Sequence, residues 1–239
     1  MFIPALLRQR KARARLDLRG RIGQHRDMSD PDLSGALTLT GPEACLAHYR
    51  AWAASYDSGF AEGMDYLLPA HVAAAFLAAG GGSPVLDVGA GTGLLAERLR
   101  EMGQAGPMDA VDFSAEMLGR AAEKGIYRQL VQADITKPIA LPRQYGGIVS
   151  SGTFTAGHVG PEAFPHLLAL ARPGAQFALS VNLRVWAAQG FDCAVEALQG
   201  AGQITALQLI EVQIYGAAAA ALDPDHATDR AQVVLFRAV

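Results

Sequence analysis

Residues 85–99 read VLDVGAGTGLLAERL. An apolar run with strand character closes around Asp87, three glycines follow at alternate positions (Gly89, Gly91, Gly93), and helical spacing then takes over. Glycine-rich strand-to-helix turns hold several kinds of nucleotide, so glycine spacing and local charge must choose among them. The dinucleotide fingerprint GxGxxG needs its third glycine five residues after the first. Counted from Gly89 that position is Leu94, and the third glycine comes one residue early, at Gly93. A carboxylate at Asp87 would repel a pyrophosphate, whereas it suits a ligand that carries an ammonium group. Glycine also lets the backbone pass close to such a ligand with no Cβ in the way.

Working outward from this turn, short apolar runs stand at 84–88, 107–112, 128–133, 146–150 and 175–182. Helical spacing separates them at about 93–103, 114–124, 161–171 and 184–200. This alternation predicts a doubly wound α/β fold, a parallel sheet with helices on both faces. Two last strands, 204–216 and 230–239, flank a polar loop with no clear helix between them and predict an antiparallel hairpin at one edge. Upstream, helices over 42–58 and about 65–79 end at GGGSP (80–84) and form a helical cap over about 42–80. In such sheets the ligand lies beyond the carboxyl ends of the strands, beside the first one.

The second strand ends at Asp112, nineteen residues after Gly93, where a carboxylate can accept from both hydroxyls of a ribose. Ser114 reads as the cap of the next helix. At the end of the third strand Asp134 can accept from an adenine amino group, with Ile135 against the ring and Phe113 beside it. S-adenosylmethionine, with an adenosine, a sulfonium and a zwitterionic methionine tail, is a ligand of this kind.

Asp87-x-Gly89-x-Gly91-x-Gly93, VDFSAEML (111–118) and QADIT (132–136) at these intervals resemble the class I S-adenosylmethionine-dependent methyltransferases over about residues 45–182. HYRAWAASYD (48–57) and SSGTFTAGHVGPEAF (150–164) are more narrowly similar to the small methyltransferase-like proteins of the Williams–Beuren region type. The resemblance implies a Rossmann-like, seven-stranded, mainly parallel sheet with an antiparallel last strand. It also implies that the helix carrying Trp52 and Tyr56 covers the cofactor. Asp87 would lie near the methionine ammonium, Asp112 on the ribose and Asp134 near adenine, with the Ser150 and Ser151 backbone along the methionine side.

Methyl transfer from a sulfonium is an in-line displacement at an activated carbon, so alignment and exclusion of water carry most of the catalysis. A base is needed only when the nucleophile arrives protonated. His158, in the loop after the fourth strand, is the candidate; His166 has a weaker claim, and Asn182 ends the fifth strand where it can face a substrate. The loop after the fourth strand reads SSGTF, not the [D/N]-P-P-[Y/F/W] of nucleic-acid amino methylation, and neither Cys45 nor Cys193 lies there to attack a cytosine. No pair of glutamates in that loop suits protein arginine methylation. The expected acceptor is therefore a small molecule methylated on oxygen or nitrogen. The alternatives are a protein methyltransferase or a non-catalytic, S-adenosylmethionine-binding regulator; a dinucleotide oxidoreductase is disfavoured by Leu94 and Asp87.

Apolar residues make up 51% and charged residues 18% of the 239, enough for one large domain. Eight of the 20 basic residues but two of the 23 acidic ones fall within 1–27, so the remainder is strongly acidic and ill matched to a nucleic acid. MSDPDLSG from Met28 reads as an ordinary N-terminus, and residues 1–40 are expected to be a basic, flexible arm before a methyltransferase domain over 41–239. No apolar run is long enough to span a bilayer, and two cysteines without motif spacing suggest no disulfide framework and no metal site. A cytoplasmic setting is expected, with no signal for an oligomeric state.

Overall fold

The computed structural model describes residues 42–53 and 55–239. The arm expected over 1–40 lies outside these residues.

The described chain opens with helix α1 (Pro42–Trp52), a π-helical turn (Tyr56–Ala61) and α2 (Leu68–Ala78). Alternation then begins with β1 (Val85–Val88), α3 (Leu94–Glu101), β2 (Met108–Asp112), α4 (Ala115–Glu123) and β3 (Gln129–Gln132). Next come β4 (Tyr145–Phe154), a short 3-10 turn (Pro161–Ala163) and α5 (Phe164–Leu168). The chain closes with β5 (Ala171–Asn182), α6 (Leu183–Trp186), α7 (Phe191–Gly200), β6 (Ile204–Gln213), α8 (Ala219–Leu222) and β7 (Arg230–Ala238).

Seven strands form one sheet in the order β3-β2-β1-β4-β5-β7-β6. The first five pair in parallel, while β7 runs antiparallel to both β5 and β6. The expected α/β architecture and closing hairpin are both present, with β7 inserted between β5 and β6. From β1 the chain winds outward through β2 and β3, then returns to β4 on the other side. That reversal opens a crevice at the carboxyl ends of β1 and β4.

Both faces of the sheet are covered, and strand alternation assigns neighbouring residues to opposite layers. Leu86, Ile148, Phe177 and Val234 pack with Phe164 and Phe191 in one layer. Val85, Val149, Ala178 and Val233 pack with Val72 and Phe76 in the other. This layered core holds the strand ends still, and with them the loops that carry the site.

Two expected helices are broken. The helix predicted over 42–58 stops at Trp52 and resumes as the π-helical turn at Tyr56. Ser55, Asp57 and Gly59 are weak helix formers, and Asp57 finds partners outside its own turn. The helix predicted over 184–200 divides at Gly190, whose φ of 74° starts α7 in the left-handed region that glycine tolerates best. No described helix is long and apolar enough to cross a membrane.

Candidate active site

The turn between β1 and α3 is held in place by β2. Gly89 N and Ala90 N donate to the Val111 carbonyl, at 2.8 and 3.2 Å. Gly91 N donates to Asp112 Oδ2 at 2.8 Å, and Ser114 N donates to Asp112 Oδ1 at 2.8 Å. Asp112 therefore fastens two successive strand-to-helix turns to each other. Burial raises its carboxyl pKa, and these backbone donors work against that rise. A carboxylate oxygen has more than one lone pair, so Asp112 can still accept from a ligand hydroxyl.

Gly89 is required by geometry. Its φ is +63°, and a Cβ there would lie 2.0 Å from Thr153 Oγ1, which crosses over the turn from β4. Thr153 is anchored by Ser150, whose hydroxyl lies 2.9 Å from Thr153 Oγ1 and donates to the Val88 carbonyl at 2.7 Å.

Asp87 is 1% exposed and sits at the floor of the crevice. The Tyr127 hydroxyl donates to its Oδ2 at 2.6 Å, while Oδ1 is buried with no hydrogen-bond partner among the described residues. Burial pushes this carboxyl up to about 7; the Tyr127 bond opposes the rise and the nearby Asp112 charge adds to it. A buried carboxylate with one unanswered oxygen is costly unless something supplies a donor or a positive charge.

The cap is tied to this floor by polar contacts. From the π-helical turn, Asp57 Oδ1 accepts from the Thr92 hydroxyl at 2.5 Å, and Asp57 Oδ2 pairs with Lys124 Nζ at 2.7 Å. Lys124 also pairs with Glu97 at 2.7 Å, so one ammonium joins the cap to α3 from the end of α4. Farther along, His158 Nε2 lies 3.0 Å from the Tyr49 hydroxyl of α1, and His158 Nδ1 lies 2.7 Å from the Ala156 carbonyl. A carbonyl can only accept, so Nδ1 carries the hydrogen and Nε2 accepts from Tyr49. Burial lowers the His158 pKa, which keeps the ring neutral and able to take a proton.

Between floor and cap lies a cavity of about 460 Å³, within the range of small-molecule and cofactor sites. Its lining includes Tyr56, Asp87, Gly89, Gly91, Asp112, Phe113, Asp134, Ile135 and His158 from the residues singled out by sequence. Gly93 and Ser150 are not in that wall. Gly93, with φ 91°, precedes α3 and packs beneath the Tyr127 ring, and fully buried Ser150 supports Thr153 from behind. Asp134 is committed locally: burial opposes its charge, but Lys137 and Thr136 outweigh that and hold its carboxyl below the usual range. His166 lies on α5, away from the cavity.

A narrower annex of about 50 Å³ adjoins the cavity and shares Tyr49, Tyr56, Tyr66, Gly152 and His158 with it. Trp52, Phe60 and Tyr215 extend its aromatic wall, and Asn182 and Ser180 stand at its β5 side. Sequence reasoning missed Asp57, Thr92, Lys124, Tyr127 and the pairing of Tyr49 with His158. Among the described residues no cluster of three His, Cys, Asp or Glu side chains could hold a metal ion.

Residues 85–174 match a family model described as a methyltransferase domain. An S-adenosylmethionine-dependent methyltransferase from Aquifex aeolicus shares the fold, with a TM-score of 0.53 and 19% identity over 79% of this chain and 98% of its own. Magnesium protoporphyrin IX methyltransferase from Synechocystis, solved with bound S-adenosylhomocysteine, has a TM-score of 0.53 and 18% identity over 80% of this chain and 94% of its own. No curated protein matches the chain. Residues 85–174 thus resemble a methyltransferase domain, and the fold around them is shared with these S-adenosylmethionine-dependent enzymes, in agreement with the enzyme class and cofactor expected from the motifs.

Proposed function

We propose that the protein binds S-adenosylmethionine in the 460 Å³ cavity and methylates a small molecule on oxygen or nitrogen. The observation that carries this reading is the Oδ1 of buried Asp87, unpartnered among the described residues, which suits the ammonium of a methionine tail and would repel a pyrophosphate. Asp112 offers its remaining lone pairs to the ribose, while Phe113 and Ile135 offer apolar surface to the adenine. Glycine at 91 keeps the passage over the turn open, since none of the described residues lies within 4 Å of where its Cβ would stand.

When bound, the cofactor supplies a methyl group on a positively charged sulfur. The residues of this chain bind and orient: Asp87 and Asp112 set the floor, and Asp57 and Lys124 tie the cap over it. A small acceptor is favoured by the small volume of the annex and by the acidic balance of the residues after 27. The narrower resemblance to the Williams–Beuren-region type rests on the segments around Tyr49 and His158, which meet across the cavity. Cysteine usage favours a reducing, cytoplasmic setting.

Titration calorimetry tests the reading. S-adenosylmethionine and S-adenosylhomocysteine should bind, and NAD should not; NAD binding with no signal from the other two would overturn it.

A further inference from the structure

The annex carries information about the acceptor. Its wall is continuous aromatic surface: Trp52 lies 4.9 Å from both Tyr56 and Phe60, and Phe60 lies 5.5 Å from Tyr66, centroid to centroid. Rings packed against one another in this way present a surface for a flat apolar body. Among the described residues no acidic or basic side chain lines the annex apart from His158, whose pKa burial lowers. A charged acceptor group buried there would lack a counter-ion, at considerable cost. Arg184 N donates to Asn182 Oδ1 at 2.9 Å, which fixes the amide and makes Nδ2 the group it offers the annex.

Tyr49 and His158 stand where annex and main cavity meet. The Tyr49 hydroxyl donates to a neutral imidazole, so its oxygen can accept a proton as its own moves to His158 Nε2. A neutral amine attacks through its lone pair and needs no such base before the displacement. A hydroxyl does need one.

We infer that the annex, together with the part of the main cavity it opens into, seats an uncharged, planar hydroxyl compound of phenol type, with its hydroxyl against Tyr49. As the bond from the acceptor oxygen to the methyl carbon forms and the sulfur–methyl bond breaks, the acceptor proton passes to Tyr49 Oη. The Tyr49 proton passes to His158 Nε2. The positive charge lost from sulfur reappears on the imidazolium, so charge balances. Tyr49 is then the catalytic residue, and His158 acts through it. This inference rests on the cofactor reading above.

The test uses the full chain saturated with S-adenosylhomocysteine and follows probes of one ring size by saturation-transfer NMR: phenol, benzoate and protonated benzylamine. Phenol should bind at least tenfold more tightly than either ion. With methyl-labelled S-adenosylmethionine, a set of simple phenols should include substrates that yield the methyl ether. Tyr49→Phe and His158→Gln should lower kcat a hundredfold or more while leaving KM for the phenol within threefold, a split that a purely structural role would not give. Equal or tighter binding of benzoate or benzylamine, absence of any methyl ether, or a raised KM with kcat kept would overturn the inference. Failure of S-adenosylhomocysteine itself to bind would instead overturn the cofactor reading.

Discussion

The Tyr127 hydroxyl donates to Asp87 Oδ2 at 2.6 Å and leaves Oδ1 buried without a partner among the described residues. The two residues are 40 positions apart. Together they make a half-satisfied carboxylate at the floor of the cavity, poor for stability and well suited to an ammonium. Its pKa near 7 lies above the ordinary 3.8, so folding takes up a proton between those limits. Stability contributed by this group is therefore lost as pH rises from about 4 to about 7. Asp87→Asn should raise the melting temperature of the ligand-free protein at pH 8 by about 2–4 °C for each kcal/mol relieved. The same variant should lose S-adenosylmethionine affinity, and wild-type affinity should strengthen as pH rises through about 7. Thermal melts and calorimetry across pH check both.

Asp112→Ala removes the acceptor for Gly91 N and Ser114 N as well as the one offered to the ribose. Calorimetry should show a loss of about 1.5–3 kcal/mol in cofactor binding, the range for hydrogen bonds to a charged group. The melting temperature should also fall, because two backbone donors lose their partner.

Gly89→Ala and Gly91→Ala separate two roles of the turn. At Gly89 the new Cβ would lie 2.0 Å from Thr153 Oγ1, so thermal melts should show a large loss of stability. At Gly91 none of the described residues stands within 4 Å, and the φ of +56° is the unfavourable feature; that should cost about 1–2 kcal/mol. Gly91→Ala should fold and bind cofactor more weakly, because its Cβ enters the cavity.

Asp57→Ala frees the buried Thr92 hydroxyl and takes one of two carboxylates from Lys124. Stopped-flow displacement should show S-adenosylhomocysteine leaving about tenfold faster, the equivalent of about one hydrogen bond to a charged group. Limited proteolysis should cut sooner within residues 42–61.

The sequence made the β1 turn, the alternation and Asp112 legible because each depends on local spacing. Strand ends follow from apolar runs, and a glycine that needs positive φ marks its own turn. Tyr127 was not legible, since its partner Asp87 is 40 residues away and a tyrosine in a loop carries no spacing signal. Tyr49 and His158 are 109 residues apart and meet only when α1 covers the crevice. The helix over 42–58 misled because its apolar spacing continues past Trp52, while Asp57 pairs with Thr92 and Lys124, which are distant in sequence. Gly93 looked like Gly89 and Gly91 in sequence, yet it serves the packing of Tyr127.

A crystal structure of the complex with S-adenosylhomocysteine tests the account most directly. The ligand ammonium should lie within hydrogen-bond distance of Asp87 Oδ1, with the ribose hydroxyls on Asp112 and the adenine between Phe113 and Ile135. A ligand bound elsewhere, or one in this cavity with its ammonium turned away from Asp87, would contradict the account.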